Sequence, residues 1–164
     1  MKSFSFAPIA HSGATLLILG TMPGTKSLEL QQYYGHARNN FWRFMFEILE
    51  EDFSDDYEVR KALLIKNKIA LWDVLQYCER IGSLDSAIKN EITNDFERFL
   101  KHHPHIRTII FNGQKAAAFF KKHVVLKKMD YQFITMPSTS PANASKTFDS
   151  KLREWKAIRD YLKV

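Results

Sequence analysis

The sequence predicts an α/β protein, a three-layer α/β/α sandwich around a central, mainly parallel four-stranded sheet. Three observations lead there. Short apolar runs alternate with amphipathic stretches along the chain, and the connections between them are long enough for crossovers. The first run, Thr15-Leu16-Leu17-Ile18-Leu19, is apolar without a break, as suits a strand buried on both faces. The chain of 164 residues contains no internal repeat, low-complexity segment or linker, so residues 1–164 read as one domain.

The elements follow in order. The first run stops at Gly20, and a loop rich in Gly and Pro continues to about Arg38. Phe41, Phe44, Met45, Ile48 and Leu49 then fall at i, i+3, i+4, i+7 and i+8, one face of a helix. Tyr57 to Lys66 reads as a second helix, Ile69-Ala70-Leu71-Trp72 as a strand and Gly82-Ser83-Leu84-Asp85 as a connecting turn. Thr93 or Asn94 is expected to cap a helix whose core face is Phe96, Phe99 and Leu100. Ile106 to Phe111 is a strand, Gln114 to Lys122 a helix and Tyr131 to Met136 the last clear strand. A polar loop, Pro137 to Ala144, leads into a closing helix marked by Phe148, Leu152, Trp155 and Leu162.

Open parallel sheets bind ligands beyond the carboxyl ends of their strands. Three segments leave strands with unusual chemistry: Gly20-Thr21-Met22-Pro23-Gly24, Asn112-Gly113, and Pro137-Ser138-Thr139-Ser140-Pro141-Ala142-Asn143. A parallel sheet brings all three to one edge, which is where a site is expected.

Composition narrows the partners. Lys and Arg number 24 against 18 Asp and Glu, a net charge of +6 that favours polyanions: nucleic acid, an acidic protein or an anionic membrane surface. Cys78 is the only cysteine, so neither an internal disulfide nor a four-cysteine metal site can form, and a cytoplasmic location is expected. The apolar stretches Phe4–Ala10 and Ala14–Leu19 are interrupted by His11-Ser12-Gly13, and nothing approaches a membrane-spanning length.

Several chemistries are weighed and set aside. Gly20-Thr-Met-Pro-Gly-Thr-Lys-Ser27 nearly spells a phosphate-binding loop, with Asp73 at the end of a strand as a possible metal-holding partner. However, Thr25 replaces the Gly before the Lys, Pro23 removes a backbone donor, and Tyr33-Tyr34-Gly35 follows too soon for a long helix. His102, His103 and His105 cluster at the sheet edge away from the three loops, where packing or solvation is the expected role. The His-x-Glu and Cys-x-x-Cys signature of zinc deaminases is missing, as is a Gly-x-Ser-x-Gly elbow. No metal or organic cofactor is expected.

Four segments taken together are more specific: Gly20-Thr-Met-Pro-Gly24, Gln32-Tyr-Tyr-Gly-His-Ala-Arg-Asn-Asn-Phe-Trp42, Phe111-Asn-Gly113 and Pro137-Ser-Thr-Ser-Pro-Ala-Asn-Ala144. In this order they resemble the active-site segments of the uracil-DNA glycosylase superfamily, and the second and fourth are most similar to its hypoxanthine-DNA (DNA-deoxyinosine) glycosylase branch. The resemblance spans about Thr15 to Ala144. Mismatch-specific relatives carry Gly-x-Asn-Pro-Gly in the first loop, whose Asn positions the attacking water; here Met22 stands in that slot. The hypoxanthine branch lacks that Asn too. The resemblance implies that Asn39, in His-x-Arg-Asn, takes over, with Asn40 its confusable neighbour.

The resemblance implies a monofunctional enzyme that flips deoxyinosine from damaged double-stranded DNA and hydrolyses its N-glycosidic bond with a positioned water. Gly20, Thr21 and Met22 would offer backbone N–H groups to the departing base. Tyr34 would stack on that base, unless it is simply core, and Asn112 would meet the base edge, cap the following helix, or both. Ser138, Thr139, Ser140, Pro141, Ala142 and Asn143 would grip DNA and enter the stack. Phe41 and Trp42 read as structural, and His36 as a brace. Lys26, Arg38, Arg43, Lys146 and Lys151 lie near the expected mouth, as phosphate clamps or as solvated charges. A monomer without lyase activity is expected. Two rivals remain: excision of uracil from G·U or G·T pairs, and a catalytically silent nucleic-acid-binding module.

Overall fold

The computed structural model describes residues 1–128 and 130–162. Its centre is a four-stranded sheet of β2 (Leu16–Gly20), β3 (Ile69–Asp73), β6 (Thr108–Asn112) and β7 (Gln132–Met136), in the order β3-β2-β6-β7. All three pairings are parallel, so the expected sheet is present without an antiparallel member. Every residue of β2 and β6 is buried, which is why both read as unbroken or nearly unbroken apolar runs.

The two-residue period of β2 divides the core. Leu16 and Ile18 join a cluster with α2 (Phe41–Ile48), α3 (Tyr57–Lys66), α6 (Phe148–Trp155) and α7 (Ile158–Leu162). Leu17 and Leu19 join the opposite cluster with α4 (Phe96–His102) and α5 (Gln114–His123). Two such layers against one sheet make the three-layer sandwich. Each buried Leu, Ile or Phe contributes roughly 1.5–3 kcal/mol.

The chain also builds a second, three-stranded antiparallel sheet that the sequence did not suggest. It contains β1 (Lys2–Phe4), β4 (Leu75–Glu79) and β5 (Lys89–Thr93), ordered β1-β4-β5. Lys-Ser-Phe and Lys-Asn-Glu-Ile-Thr are short, polar and half-exposed, so neither carries a strand's apolar alternation. Beyond β1, Ile9 exchanges backbone hydrogen bonds of 2.9 and 2.8 Å with Leu71 and covers the edge of β3.

Three boundaries differ from expectation. The loop after β2 contains α1 (Thr25–Leu30). Asp95, rather than Thr93 or Asn94, caps α4 by accepting from the Arg98 N–H at 3.0 Å. Asn94 is buried, and its amide donates to the Asp73 carbonyl at 2.8 Å. The closing helix is split into α6 and α7, where the ladder tightens to Glu154–Ala157 and Lys156–Arg159 bonds.

In this strand order β2 lies between the strands that follow it, so the topology switches between β2 and β6. Gly20 and Asn112, the last residues of those strands, stand at the switch point, where such sheets leave a crevice.

Candidate active site

A cleft of about 590 Å³ opens at that edge. Gly20, Thr21 and Met22, Tyr34 and Asn39, Asn112, and the loop Ser138–Asn143 all line it, so the converging segments do meet. Asp73, Asp85, Ser83 and Leu84 complete the wall.

Gly20 forms the floor. A Cβ there would lie 2.6 Å from Asp73 Oδ1 and 2.6 Å from Tyr34 Oη, so only glycine leaves both oxygens their positions. The N–H groups of Thr21 and Met22 find no protein acceptor among the described residues. They are therefore free to donate to an anionic ligand. The Met22 side chain is 8% exposed and belongs to the apolar layer around Val74 and Phe111; it cannot position water.

The segment before α2 is held by its neighbours. Tyr33 is buried, its hydroxyl donating to the Ala7 carbonyl at 2.8 Å and its own carbonyl accepting from Trp42 Nε1 at 2.8 Å. These bonds make Trp42 structural, as expected. Tyr34 adopts φ 54°, a left-handed conformation unusual for a bulky residue, and this turns its ring into the cleft. One ring face stacks on Phe41 at 4.3 Å between centroids, so Tyr34 both packs and lines the cleft. Its phenol oxygen is buried without a hydrogen-bond partner, and burial raises its pKa well above the ordinary value. His36 Nδ1 accepts from the Arg38 N–H at 3.1 Å, the bracing role.

Asn39 and Asn40 diverge. Asn39 lines the cleft, with Oδ1 accepting from the Phe41 N–H at 3.0 Å; a second lone pair and both amide hydrogens remain. Asn40 Oδ1 accepts from Arg43 at 3.1 Å, in a neighbouring groove with Arg38 and Lys146.

Asn112 is not the cap of α5; that position belongs to Gly113. Gly113 has φ 98°, and a Cβ there would meet Ser138 Cβ at 3.1 Å, so the turn and the close approach both require glycine. Asn112 Oδ1 accepts from the Thr139 N–H at 2.9 Å, and Nδ2 donates to Thr139 Oγ1 at 2.9 Å. One Nδ2 hydrogen is left for a ligand. Thr139 is only 1% exposed, and its carbonyl accepts from the Asn40 N–H at 3.2 Å. Thr139 therefore braces the loop from within, its hydroxyl oxygen accepting from Asn112. Ser138 and Ser140 Oγ each accept one backbone N–H of the loop at 3.2 Å, leaving their hydroxyl hydrogens to donate elsewhere. Pro141, Ala142 and Asn143 form the rim.

The expected cations sort by their partners. Lys151 is buried and its ammonium donates to the Asn143 carbonyl at 2.6 Å, which secures the loop. Lys146 pairs with Glu154, and Lys26 with Glu29 at 3.7 Å. Arg38 and Arg43 have no ion pair among the described residues and flank the loop. In the near-miss phosphate loop, Ser27 is buried with its hydroxyl accepting from the Gly35 N–H at 2.9 Å, on a helix of only six residues. The His102 and His103 rings bond backbone carbonyls of α4, and no group suited to a metal ion occurs among the described residues.

Sequence reasoning did not assign Asp73 to the site. It ends β3 directly beside Gly20 in the register, 3% exposed, with Oδ2 unpartnered. Burial first, then the Asp85 charge, push its pKa up to about 7, against the pull of Arg80. Arg80 is buried, donates to the Pro23 and Ser83 carbonyls and lies 3.7 Å from Asp85. The position of Asp73 at the carboxyl end of a strand parallel to β2 was the available signal.

The uracil DNA glycosylase superfamily model matches residues 8–163. The chain belongs to that superfamily. It is 38% identical over 144 residues to a hypoxanthine DNA glycosylase of Methanosarcina barkeri, covering 87% of this chain and 89% of that protein. It is also 38% identical over 156 residues to a hypoxanthine DNA glycosylase of Methanosarcina acetivorans, covering 93% and 95%. A solution NMR structure of a candidate uracil DNA glycosylase from Methanosarcina acetivorans superposes with a TM-score of 0.82 at 34% identity over the whole of both chains. In this member of the superfamily, the cleft lies at the switch point of the parallel sheet. No helix among the described residues is long and apolar enough to cross a membrane.

Proposed function

We propose that this protein is a monofunctional DNA glycosylase that hydrolyses the N-glycosidic bond of deoxyinosine in double-stranded DNA, releasing hypoxanthine and leaving an abasic site. The observation that carries the mechanism is that Asn39, and not Asn40, opens into the cleft above Gly20, Thr21 and Met22. The choice of base is supported by 38% identity to two proteins named hypoxanthine DNA glycosylase over most of each chain.

The cleft suits a flipped nucleotide. Extrusion costs a few kcal/mol, least at an imperfect pair such as one with hypoxanthine. The base would enter between Tyr34 and the Gly20–Met22 backbone, with the remaining Asn112 amide hydrogen at its edge. The Asn39 amide would hold a water beside the sugar's anomeric carbon. An amide is no strong base, but a cationic sugar in the transition state requires only a weak nucleophile. The free N–H groups of Thr21 and Met22 would donate to the base as it leaves with negative charge. Ser138, Ser140, Pro141, Ala142 and Asn143 would grip phosphates and fill the space vacated in the stack. On this reading the protein works in the cytoplasm as a monomer.

Identical duplexes carrying inosine, uracil or xanthine test the reading by alkali cleavage of the abasic product. Faster release of hypoxanthine supports it. Faster release of uracil from G·U pairs would select mismatch-type excision, the reading favoured by the description of the NMR relative. Tight binding without strand breaks would select a silent binding module.

A further inference from the structure

The cleft adjoins a second groove of about 230 Å³, and Tyr34, His36 and Asn39 line both. Two guanidinium groups also line this groove, Arg43 from α2 and Arg60 from α3. Neither has a role in the scheme above. Both stand over one ring: their Cζ atoms lie 6.0 and 5.2 Å from the centroid of Phe53. Arg60 Cζ is also 5.7 Å from the ring of Trp42, which is buried and fixed by its bond to the Tyr33 carbonyl. Aromatic faces hold both cations and leave the hydrogen-bonding edges of the guanidinium planes open.

Few of the donors are used within the protein. Arg60 Nε donates to the Ser54 carbonyl at 2.8 Å. Arg43 donates from Nη1 to Asn40 Oδ1 at 3.1 Å and from Nη2 to the Ala37 carbonyl at 3.2 Å. A guanidinium has five N–H donors, so most of those on both side chains remain. Asp55 lines the same groove, yet neither arginine makes an ion pair among the described residues. Burial pulls the Arg60 pKa below its ordinary value; Asp55 opposes that, and the neighbouring Arg43 charge adds to it. Two like charges gathered on one ring without a paired carboxylate point to an anion that accepts from both.

We propose that Arg43 and Arg60 form a phosphodiester site that holds one backbone phosphate of the lesion strand beside the flipped nucleotide. This rests on the reading that the cleft takes a nucleotide flipped out of DNA. A nucleotide in the cleft carries a phosphate on each side, so its strand must leave the cleft along the protein surface. The groove continues from the cleft at Asn39, where the sugar sits in that reading. Guanidinium forks match phosphate oxygens in pairs, which an ammonium cannot do. Such a contact reads no base. It holds the backbone in its extruded course while the base occupies the cleft.

The test is affinity for duplexes carrying one 2′-fluoro-deoxyinosine, whose fluorine disfavours a cationic sugar and so resists hydrolysis. Each phosphate flanking the lesion is replaced in turn by a neutral methylphosphonate. Arg60→Gln should weaken binding about tenfold and shallow the log–log salt slope by about 0.9. Arg60→Lys keeps the charge but not the fork, so it should restore the slope and only part of the affinity. At one methylphosphonate position the two losses should not add: the combined loss stays within about threefold of the larger single loss. Full additivity at every position, or an unchanged slope in Arg60→Gln, overturns the proposal. Inorganic phosphate titrated into wild type distinguishes a site for the free anion: tight saturation together with full additivity on DNA also overturns it. The ¹⁵N resonance of Arg60 Nε in wild type covers a variant that does not fold. It should move when the duplex binds and stay in place with the methylphosphonate at that one position; no movement with either duplex overturns the proposal. If wild type releases no base from inosine duplexes, the reading of the reaction fails, and the affinity series still decides the site because it requires no hydrolysis.

Discussion

Asn112 and Thr139, 27 residues apart in the chain, exchange two hydrogen bonds of 2.9 Å and join the end of β6 to the loop that follows β7. Both residues are buried. Lys151 secures the far end of the same loop through the Asn143 carbonyl, and Trp155 Nε1 donates to the Pro137 carbonyl at 2.9 Å. The loop is thereby organised before DNA arrives, which lowers the ordering cost of binding.

Thr139→Val is expected to destabilise the protein by about 1–3 kcal/mol, because it removes the acceptor for Asn112 Nδ2 and leaves a buried donor unpaired. Urea unfolding measures this. Asn112→Ala together with Thr139→Val should cost less than the sum of the single changes, as expected for residues in direct contact.

Cations that are free and cations that are engaged should separate in salt titrations. Arg38→Gln is expected to weaken DNA binding and shallow the log–log salt slope by about 0.9 if it makes one phosphate contact. Lys151→Gln should leave the slope unchanged while slowing excision from duplex DNA, since its ammonium holds the loop. Fluorescence anisotropy at several salt concentrations gives both slopes, and equal changes would contradict the assignment.

Much of this arrangement was legible in the sequence. Continuous burial made β2 and β6 readable, and a parallel sheet requires Gly20, Asn112 and Pro137 to share an edge. The second sheet was not legible, because its strands are short, polar and stabilised by pairing with distant segments. Partner-dependent roles were also hidden. Thr139 and Lys151 have the composition of DNA contacts, and only tertiary structure shows Asn112 and Asn143 occupying them. Asp73 was considered only as a metal holder in a phosphate loop; its burial beside Gly20 depends on the β2–β3 register.

Ser138→Ala with Ser140→Ala should slow excision from a fully paired duplex, since both hydroxyl hydrogens are available to phosphates. The deficit should shrink when inosine opposes an abasic site, where little pairing must be broken. Equal losses on both substrates would contradict a role in flipping.

The raised pKa of Asp73 also predicts a stability change with the sign worked out. Its folded pKa of about 7 lies above the ordinary 3.8, so the folded state binds more protons between those values. Unfolding free energy contributed by this group should fall as pH rises from about 4 to 7 and level off above. Asp73→Asn cannot ionise, so its stability relative to wild type should improve across that window. Denaturant midpoints at pH 4 and pH 8 compare the two proteins; a difference that is the same at both pH values would contradict the assignment.

The central claim is that Asn39 acts in hydrolysis while its neighbour does not. The direct measurement is single-turnover release of hypoxanthine from an inosine duplex by Asn39→Ala and Asn40→Ala, alongside lesion-DNA affinity. Asn39 also accepts the Phe41 N–H, so its loss is expected to cost about 1 kcal/mol of stability, checked by unfolding at the assay temperature. The account predicts that Asn39→Ala loses about 10²-fold or more in rate with affinity largely kept, and that Asn40→Ala stays within about threefold of wild type. Near-native release by Asn39→Ala would contradict it.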